Sequence, residues 1–363
     1  MAYTTINDPS KHFQTVIWTG DGNDDRSITF DGNSDMQPDM VWTKRRPTAS
    51  SHGLRDSTRG AVVELFPDDT AMDTSVADRF QAFESDGFQV GTNADINGTS
   101  NNTYVAWAWK ANGGTTSSNG NGDITSTVQV SSTAGFSIVT YTATATAGDT
   151  VGHGLSSQPE MIMVKKRAGG DAYGWGVWHT SLSNNNGTKQ LILDTAAAEA
   201  TQDMFNDAIF PSSSATVFAT GQNNHTNFPS GATYVAYCFN SVQGYSKFGK
   251  YTGNGSPSSA DFDGPFVYTG FKPAWIMCKR SSASDGSWGI IDNKRDTTNP
   301  IQIALFANTS GADDTDKKVD FLSNGFKLRN SRDDFNTDGV NYVYMAFAEQ
   351  PFVTSSGVPA TAR

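Results

Sequence analysis

The feature that most constrains this chain is an internal repeat. Thr103 to Trp109 reads TYVAWAW, and it returns as TYVAYCF at Thr233 to Phe239 and as NYVYMAF at Asn341 to Phe347. Tyr104, Tyr234 and Tyr342 hold the same place, and an aromatic stands 16 residues before each: Phe88, Phe218 and Phe326. A coincidence of pattern and spacing does not recur three times at one offset, so the chain is read as three equivalent modules. A second set of landmarks agrees. Phe13, Phe136 and Phe248 each precede a Pro-led apolar run, with the prolines at Pro38, Pro159 and Pro273, 25, 23 and 25 residues on.

The modules read as β structure. FQTVIWTG places Val16 and Trp18 on one face, Ser27 to Phe30 is a second short strand, and Met40 to Lys44 follows a proline that can open a strand but not sit centrally in one. His52 to Asp56, Val62 to Phe66, Phe88 to Val90 and Tyr104 to Trp109 complete the first module. About seven short strands in about 100 residues suffice for two packed antiparallel sheets. The expected fold is all-β, with three tandem antiparallel β-sandwich modules of jelly-roll or concanavalin A-like type. A barrel or propeller is the second choice, because propeller blades are shorter and more numerous. The expected boundaries are 1–112 for the first module, 113–135 for a Gly/Ser/Thr/Asn-rich linker with a bridging strand over Ile124 to Val130, 136–244 for the second, and 245–363 for the third with a C-terminal tail. Such a linker allows modules grouped about a pseudo-threefold axis or strung as beads.

Composition narrows the function classes. The formal net charge is −11, which argues against a general nucleic-acid binder, since phosphate contacts need a basic face. The N-terminus lacks a basic segment followed by an apolar core, and no run approaches a membrane span; no secretory signal and no membrane insertion are expected. Cys238 and Cys278 lie in apolar runs and read as buried free thiols. The Asn-x-Ser/Thr triplets at Asn97, Asn101, Asn186, Asn224 and Asn308 are those an Asn-, Ser- and Thr-rich chain contains by chance.

Each Pro-led strand ends in a basic cluster: Lys44-Arg45-Arg46, Lys165-Lys166-Arg167 and Lys279-Arg280. These read first as solvated strand ends that discourage edge pairing, and second as contacts to an anionic ligand. Beyond them, Asp56 with Arg59 matches Asp292 with Arg295, a spacing that locks a turn by a charge-assisted bond. In the second module His179 takes the Asp position and no Arg follows.

Catalytic signals are weak. His12, His52, His153, His179 and His225 share no position across modules, no Asp or Glu recurs in all three, and no nucleophile elbow stands before a helix. The recurring residues are aromatic, Gly and Pro, which suits a structural or adhesive part rather than an enzyme; no catalytic residues are assigned. Asn93 to Gly98 has the opening spacing of an EF-hand loop but Tyr104 at the position that needs Glu, so only a looser calcium site using Asp95 and Asn97 is kept, and no other cofactor is expected. Trp175, Trp178 and Trp288 lie among glycines near loops. They fill sandwich cores or stack on a sugar, and they are the ligand-binding candidates.

Long phrases then resemble one family. YVAWAWKANGG (Tyr104–Gly114), ITSTVQVSSTAGFSIVTYT (Ile124–Thr142), VGHGL and QPEMIMVKKR (within Val151–Arg167), GYSKFGKYTGNG (Gly244–Gly255), DGPFVYTGFKPAWIMCKR (Asp263–Arg280) and FLSNGFKLR (Phe321–Arg329) are similar to virion structural proteins of tailed phages, many of them marine. The resemblance runs from about Phe13 to Phe352. It implies a concanavalin A-like or jelly-roll repeat and a tail-fibre, tail or capsid-associated role, and it carries no catalytic residues. The second module departs at Ala143-Thr144-Ala145, where the others have Gly20-Asp21-Gly22 and Gly253-Asn254-Gly255. The resulting expectation is a non-enzymatic virion structural protein, assembled in the host cytoplasm and carried on the virion, most simply as a tail fibre or appendage. Its expected partners are other virion proteins, copies of itself in a homo-oligomer, and host cell-surface glycan, with no nucleic acid and no membrane insertion. A capsid decoration protein and a glycan-degrading depolymerase are the alternatives.

Overall fold

The computed structural model describes residues 2–99, 101–184, 186–206, 208–210, 215–256 and 263–361. The chain is all-β, built from several antiparallel sheets. The same four strands recur in the same order: a lead strand, the closing strand, the Pro-led strand and a fourth strand. In the first module these are Phe13–Thr19, Thr103–Trp109, Met40–Arg45 and Gly53–Asp56. In the second they are Phe136–Thr142, Thr233–Phe239, Met161–Ala168 and Gly176–His179. In the third they are Ser246–Thr252, Asn341–Pro351, Phe271–Arg280 and Trp288–Asp292. A smaller sheet packs on each: Arg26–Ile28 with Phe80–Glu84 and Gly87–Val90, Thr150–Gly152 with Val217–Ala219, and Phe266–Tyr268 with Val319–Leu322 and Gly325–Leu328.

The two-residue period of a strand explains why the closing stretch is apolar throughout. Tyr104, Ala106 and Ala108 face the first module's own core, whereas Val105, Trp107 and Trp109 face a second core shared by all three modules. Val235, Tyr237, Phe239 and Val343, Met345, Phe347 enter the same shared core. Phe347 stacks on Phe13 at 5.2 Å and meets Trp109 at 5.6 Å and Phe239 at 6.2 Å, so the ends of the three closing strands converge. Each such aromatic pair adds about 0.5–1.5 kcal/mol beyond simple burial. The modules are therefore grouped around one core rather than strung as beads.

The 16-residue ruler now has a physical basis. Register places Trp18 opposite Tyr104, Tyr141 opposite Tyr234 and Tyr251 opposite Tyr342, and the rings of each pair stack at 5.4, 5.4 and 5.0 Å. The Phe at the earlier position meets the lead-strand ring edge-on in all three modules, at 5.6, 6.3 and 6.0 Å. Each closing tyrosine hydroxyl then donates to a loop carbonyl, of Ala94, Phe228 or Asp333, at 2.6 or 2.7 Å.

Part of the expected linker is sheet. Ser117–Asn119 and Ser126–Ser131 pair with each other, and Ser126–Ser131 pairs with the second module's lead strand, giving an eight-stranded sheet. Gln129 on that added strand reaches back to Ser57 and Thr58 of the first module, 2.9 Å each, and accepts from Gly114 N at 2.8 Å. The stretch ties two modules together instead of spacing them.

Candidate functional site

The polar side chains singled out in the sequence meet at the seams between modules. Trp175 Nε1 of the second module donates to Phe66 O of the first (2.9 Å), and Trp288 Nε1 of the third donates to Ile192 O of the second (3.0 Å). His52 Nε2 of the first contacts Phe306 O of the third (3.0 Å). Trp42 Nε1 donates to His52 Nδ1 (2.9 Å), so Nε2 carries the proton and donates to the carbonyl. These bonds run second to first, first to third and third to second. That closed cycle is what a pseudo-threefold arrangement requires.

The Asp–Arg turns sit on the same seams. Arg59 binds Asp56 at 2.5 Å and Asp73 at 2.9 Å, and Arg295 binds Asp292 at 2.6 Å and Asp313 at 3.0 Å, with all four Asp56, Arg59, Asp292 and Arg295 side chains fully buried. Each turn takes one further donor from a neighbouring module. Tyr237 OH donates to Asp56 at 2.6 Å and Trp107 Nε1 to Asp292 at 3.0 Å. The basic clusters close the outside: Arg167 binds Asp73 and Arg46 binds Asp313, both at 2.8 Å. The Arg295 guanidinium and its hydrogen bonds hold the Asp292 carboxyl below the usual range against the opposing effect of burial.

The third seam solves the same problem without charge. The closing-strand position of Trp107 and Tyr237 is Met345 in the third module and has no proton to give. Opposite it, His179 replaces the Asp and becomes the donor, with Nε2 3.1 Å from Tyr344 O and Nδ1 accepting from Ser181 N at 3.0 Å. Leu182 takes the Arg position and joins the shared core.

Several expectations are corrected here. Trp175, Trp178 and Trp288 are at most 2% exposed, so none offers a face to a sugar; two bridge seams, and Trp178 packs edge-on to Phe210 at 5.0 Å. Nor are the strand-end lysines solvated. Lys44, Lys165 and Lys279 are buried; Lys165 Nζ donates to Thr70 O (2.7 Å) and Tyr173 O (2.6 Å), and Lys279 Nζ donates to Gly286 O (2.7 Å). Burial, which penalises the ammonium, lowers them to about 8, about 8 and about 7 respectively. A polar side chain does recur in all modules. Asn97, Asn227 and Asn336 are fully buried, and each Oδ1 accepts from the turn after the lead strand, at Asp21 N, Thr144 N and Asn254 N. The signal was present in the sequence as an Asn six or seven residues before each closing Tyr.

The calcium candidates do not converge. They lie on a short helix, Ala94–Asn97, rather than a loop. Asp95 is taken by Arg79 (2.6 Å) and Ser50 (3.0 Å), while the Asn97 amide is spent on Asp21, Asn23 and Gly91. Among the described residues no group of three or more His, Cys, Asp or Glu could hold a metal. His52, His153, His179 and His225 are lowered by burial to about 3 or 4, which keeps these imidazoles neutral and fixed as hydrogen-bonding parts at pH 7.

One family matches residues 8–351, a span that takes in all three modules, and it is described as a domain of unknown function, DUF7483. The chain belongs to the DUF7483 family. That the match runs unbroken across the seams agrees with modules that share one core. No curated protein and no solved structure matches this DUF7483 chain.

Proposed function

We propose that this DUF7483 chain is a non-enzymatic structural component of a tailed-phage virion, a tail-fibre or other appendage part that contacts host-surface glycan. The observation that carries the reading is how the recurring polar groups are spent. The seam tryptophans, the buried Asp–Arg turns, the buried lysines and the Asn hubs each hold one part of the chain to another. Such an economy suits a rigid building block, since a catalytic cleft needs polar groups left available to a substrate. The long phrases similar to virion structural proteins supply the setting, with other virion proteins and further copies of the chain as partners.

Gold labelling of the chain on intact virions tests the setting. Label on the tail is expected; label confined to the capsid refutes the appendage role, and absence from purified virions refutes the virion role. Release of reducing sugar from host glycan by the purified chain would refute the non-enzymatic reading.

A further inference from the structure

Two aromatic rings stand where the repeat does not call for them. The closing tyrosine hydroxyl receives the backbone N–H of Gly98 in the first module, Phe228 in the second and Thr337 in the third, at 2.9, 3.1 and 2.9 Å. These three residues therefore occupy one position of the repeat, and only the second module fills it with a large ring, which is 37% exposed. Tyr173 follows the same logic. Its carbonyl accepts from Lys165 Nζ as the Gly286 carbonyl accepts from Lys279 Nζ, so a tyrosine stands where the third module has glycine. Packing of the shared scaffold explains neither ring.

Both rings line one surface cavity of about 430 Å³, together with Gln222, Asn223, Asn224 and His225. The half-buried Tyr173 ring is braced edge-on by His225 at 5.5 Å and lies 5.0 Å from Lys166 Nζ. Lys166 Nζ also donates to Asn224 Oδ1 (2.8 Å) and Asp171 O (3.2 Å). Asn223 Oδ1 accepts from His225 N (2.9 Å) and pairs with His225 Nδ1 (2.8 Å). The wall is thus held before any ligand arrives, which lowers the ordering cost of binding. Its chemistry is two rings, three carboxamides and an imidazole, with no carboxylate among the lining residues. Carboxamides both donate and accept, matching hydroxyl groups that do the same, and a ring face matches the C–H face of a pyranose.

We propose that this cavity of the second module binds a neutral saccharide, with a sugar ring stacked on Phe228 and its hydroxyls taken by Gln222, Asn223 and Asn224. The inference deepens the glycan-contact part of the function proposed above and names its site. It is independent of where on a virion the chain resides, so virion labelling and sugar binding fail separately.

Saturation-transfer NMR on the purified full chain with lactose, maltose, mannobiose and chitobiose is the test. At least one of these sugars should give transfer. Phe228→Ala and Tyr173→Ala should weaken that sugar about tenfold or more, the scale of losing one ring contact. Phe228→Trp, which keeps a ring, should retain binding and covers the case in which Phe228→Ala does not fold. Tyr268→Ala, at a ring that is 55% exposed in the third module, should bind as the parent does. Absence of transfer with all four sugars overturns the proposal. So does parent-like binding by Phe228→Ala and Tyr173→Ala, or loss of binding in a folded Phe228→Trp.

Discussion

Asp292→Ala is the sharpest test of whether the three modules form one cooperative body. The substitution leaves the Arg295 guanidinium, with no exposed side-chain surface, with Asp313 as its remaining carboxylate beside the Ile290 carbonyl, and it orphans Trp107 Nε1 from the first module. Removing one partner of a buried ion pair costs about 3–5 kcal/mol, and an unsatisfied buried donor about 1–3 kcal/mol. The two overlap at one carboxylate, so the expected loss is about 4 kcal/mol rather than their sum. The second module shows how the seam survives without the pair. Asp292→His with Arg295→Leu copies His179 and Leu182, while Asp313 keeps Arg46 at 2.8 Å. This double variant should recover about 2 kcal/mol or more of the single loss, since replacing both charges is far cheaper than stranding one. Guanidinium unfolding followed by tryptophan fluorescence and circular dichroism reads both values. A single shared transition should move to lower denaturant with its slope unchanged. A loss under about 1 kcal/mol would refute the seam energetics. A split transition in which only part of the signal moves would refute the shared core as the unit of folding.

Tyr237→Phe removes only the hydroxyl that donates to Asp56 at 2.6 Å, and should cost about 1.5–3 kcal/mol in the same titration. His179 is lowered by burial to about 4 from 6.5, so its stabilising effect is complete above pH 6.5 and is lost as pH falls through about 4. Thermal melts from pH 7 to 4 should show that loss, and His179→Gln should flatten the profile by a term on the order of 3 kcal/mol. Cys238 and Cys278 are buried in separate cores, with burial raising both thiols, so neither should react with Ellman's reagent in the native state and both should react once unfolded.

Much of the architecture was legible in the sequence because it is written in bulk and spacing. Tyr104, Tyr234 and Tyr342 could be aligned by eye, and their stacked partners follow from strand register. The destination of the polar residues was not legible. Lys44 or Lys165 at a strand end reads as a solvated cation, since sequence does not say that a neighbouring module folds over it. Trp175 and Trp288 among glycines read as core residues or as sugar-stacking rings, and neither reading reaches the seam for the same reason: the carbonyls they serve, Phe66 O and Ile192 O, lie about a hundred residues away in another module. Phe228 escaped notice because its oddity appears only once Gly98 and Thr337 are known to share its position.

The seams also explain why equivalent positions differ. If the Asp–Arg turn were needed within its own module, the second module would keep it. Instead the choice tracks the neighbour. A Trp107 or Tyr237 that can donate faces an Asp that accepts, whereas Met345, which cannot, lies opposite His179, which supplies the proton itself and drops the arginine. The unit preserved across the repeat is thus a satisfied bond between modules rather than a residue. Modules related in this way are matched to their neighbours: moving the second module's His179 and Leu182 into the first would remove both buried charges and leave Asp73 with Arg167, but it would set an imidazole in place of the carboxylate that accepts from Tyr237, so such a transplant recovers only part of the native seam. A chain with three complementary but unequal seams specifies its own cyclic order, so the cavity that Phe228 and Tyr173 line has a fixed place in that order, on the module whose scaffold departs furthest from the other two.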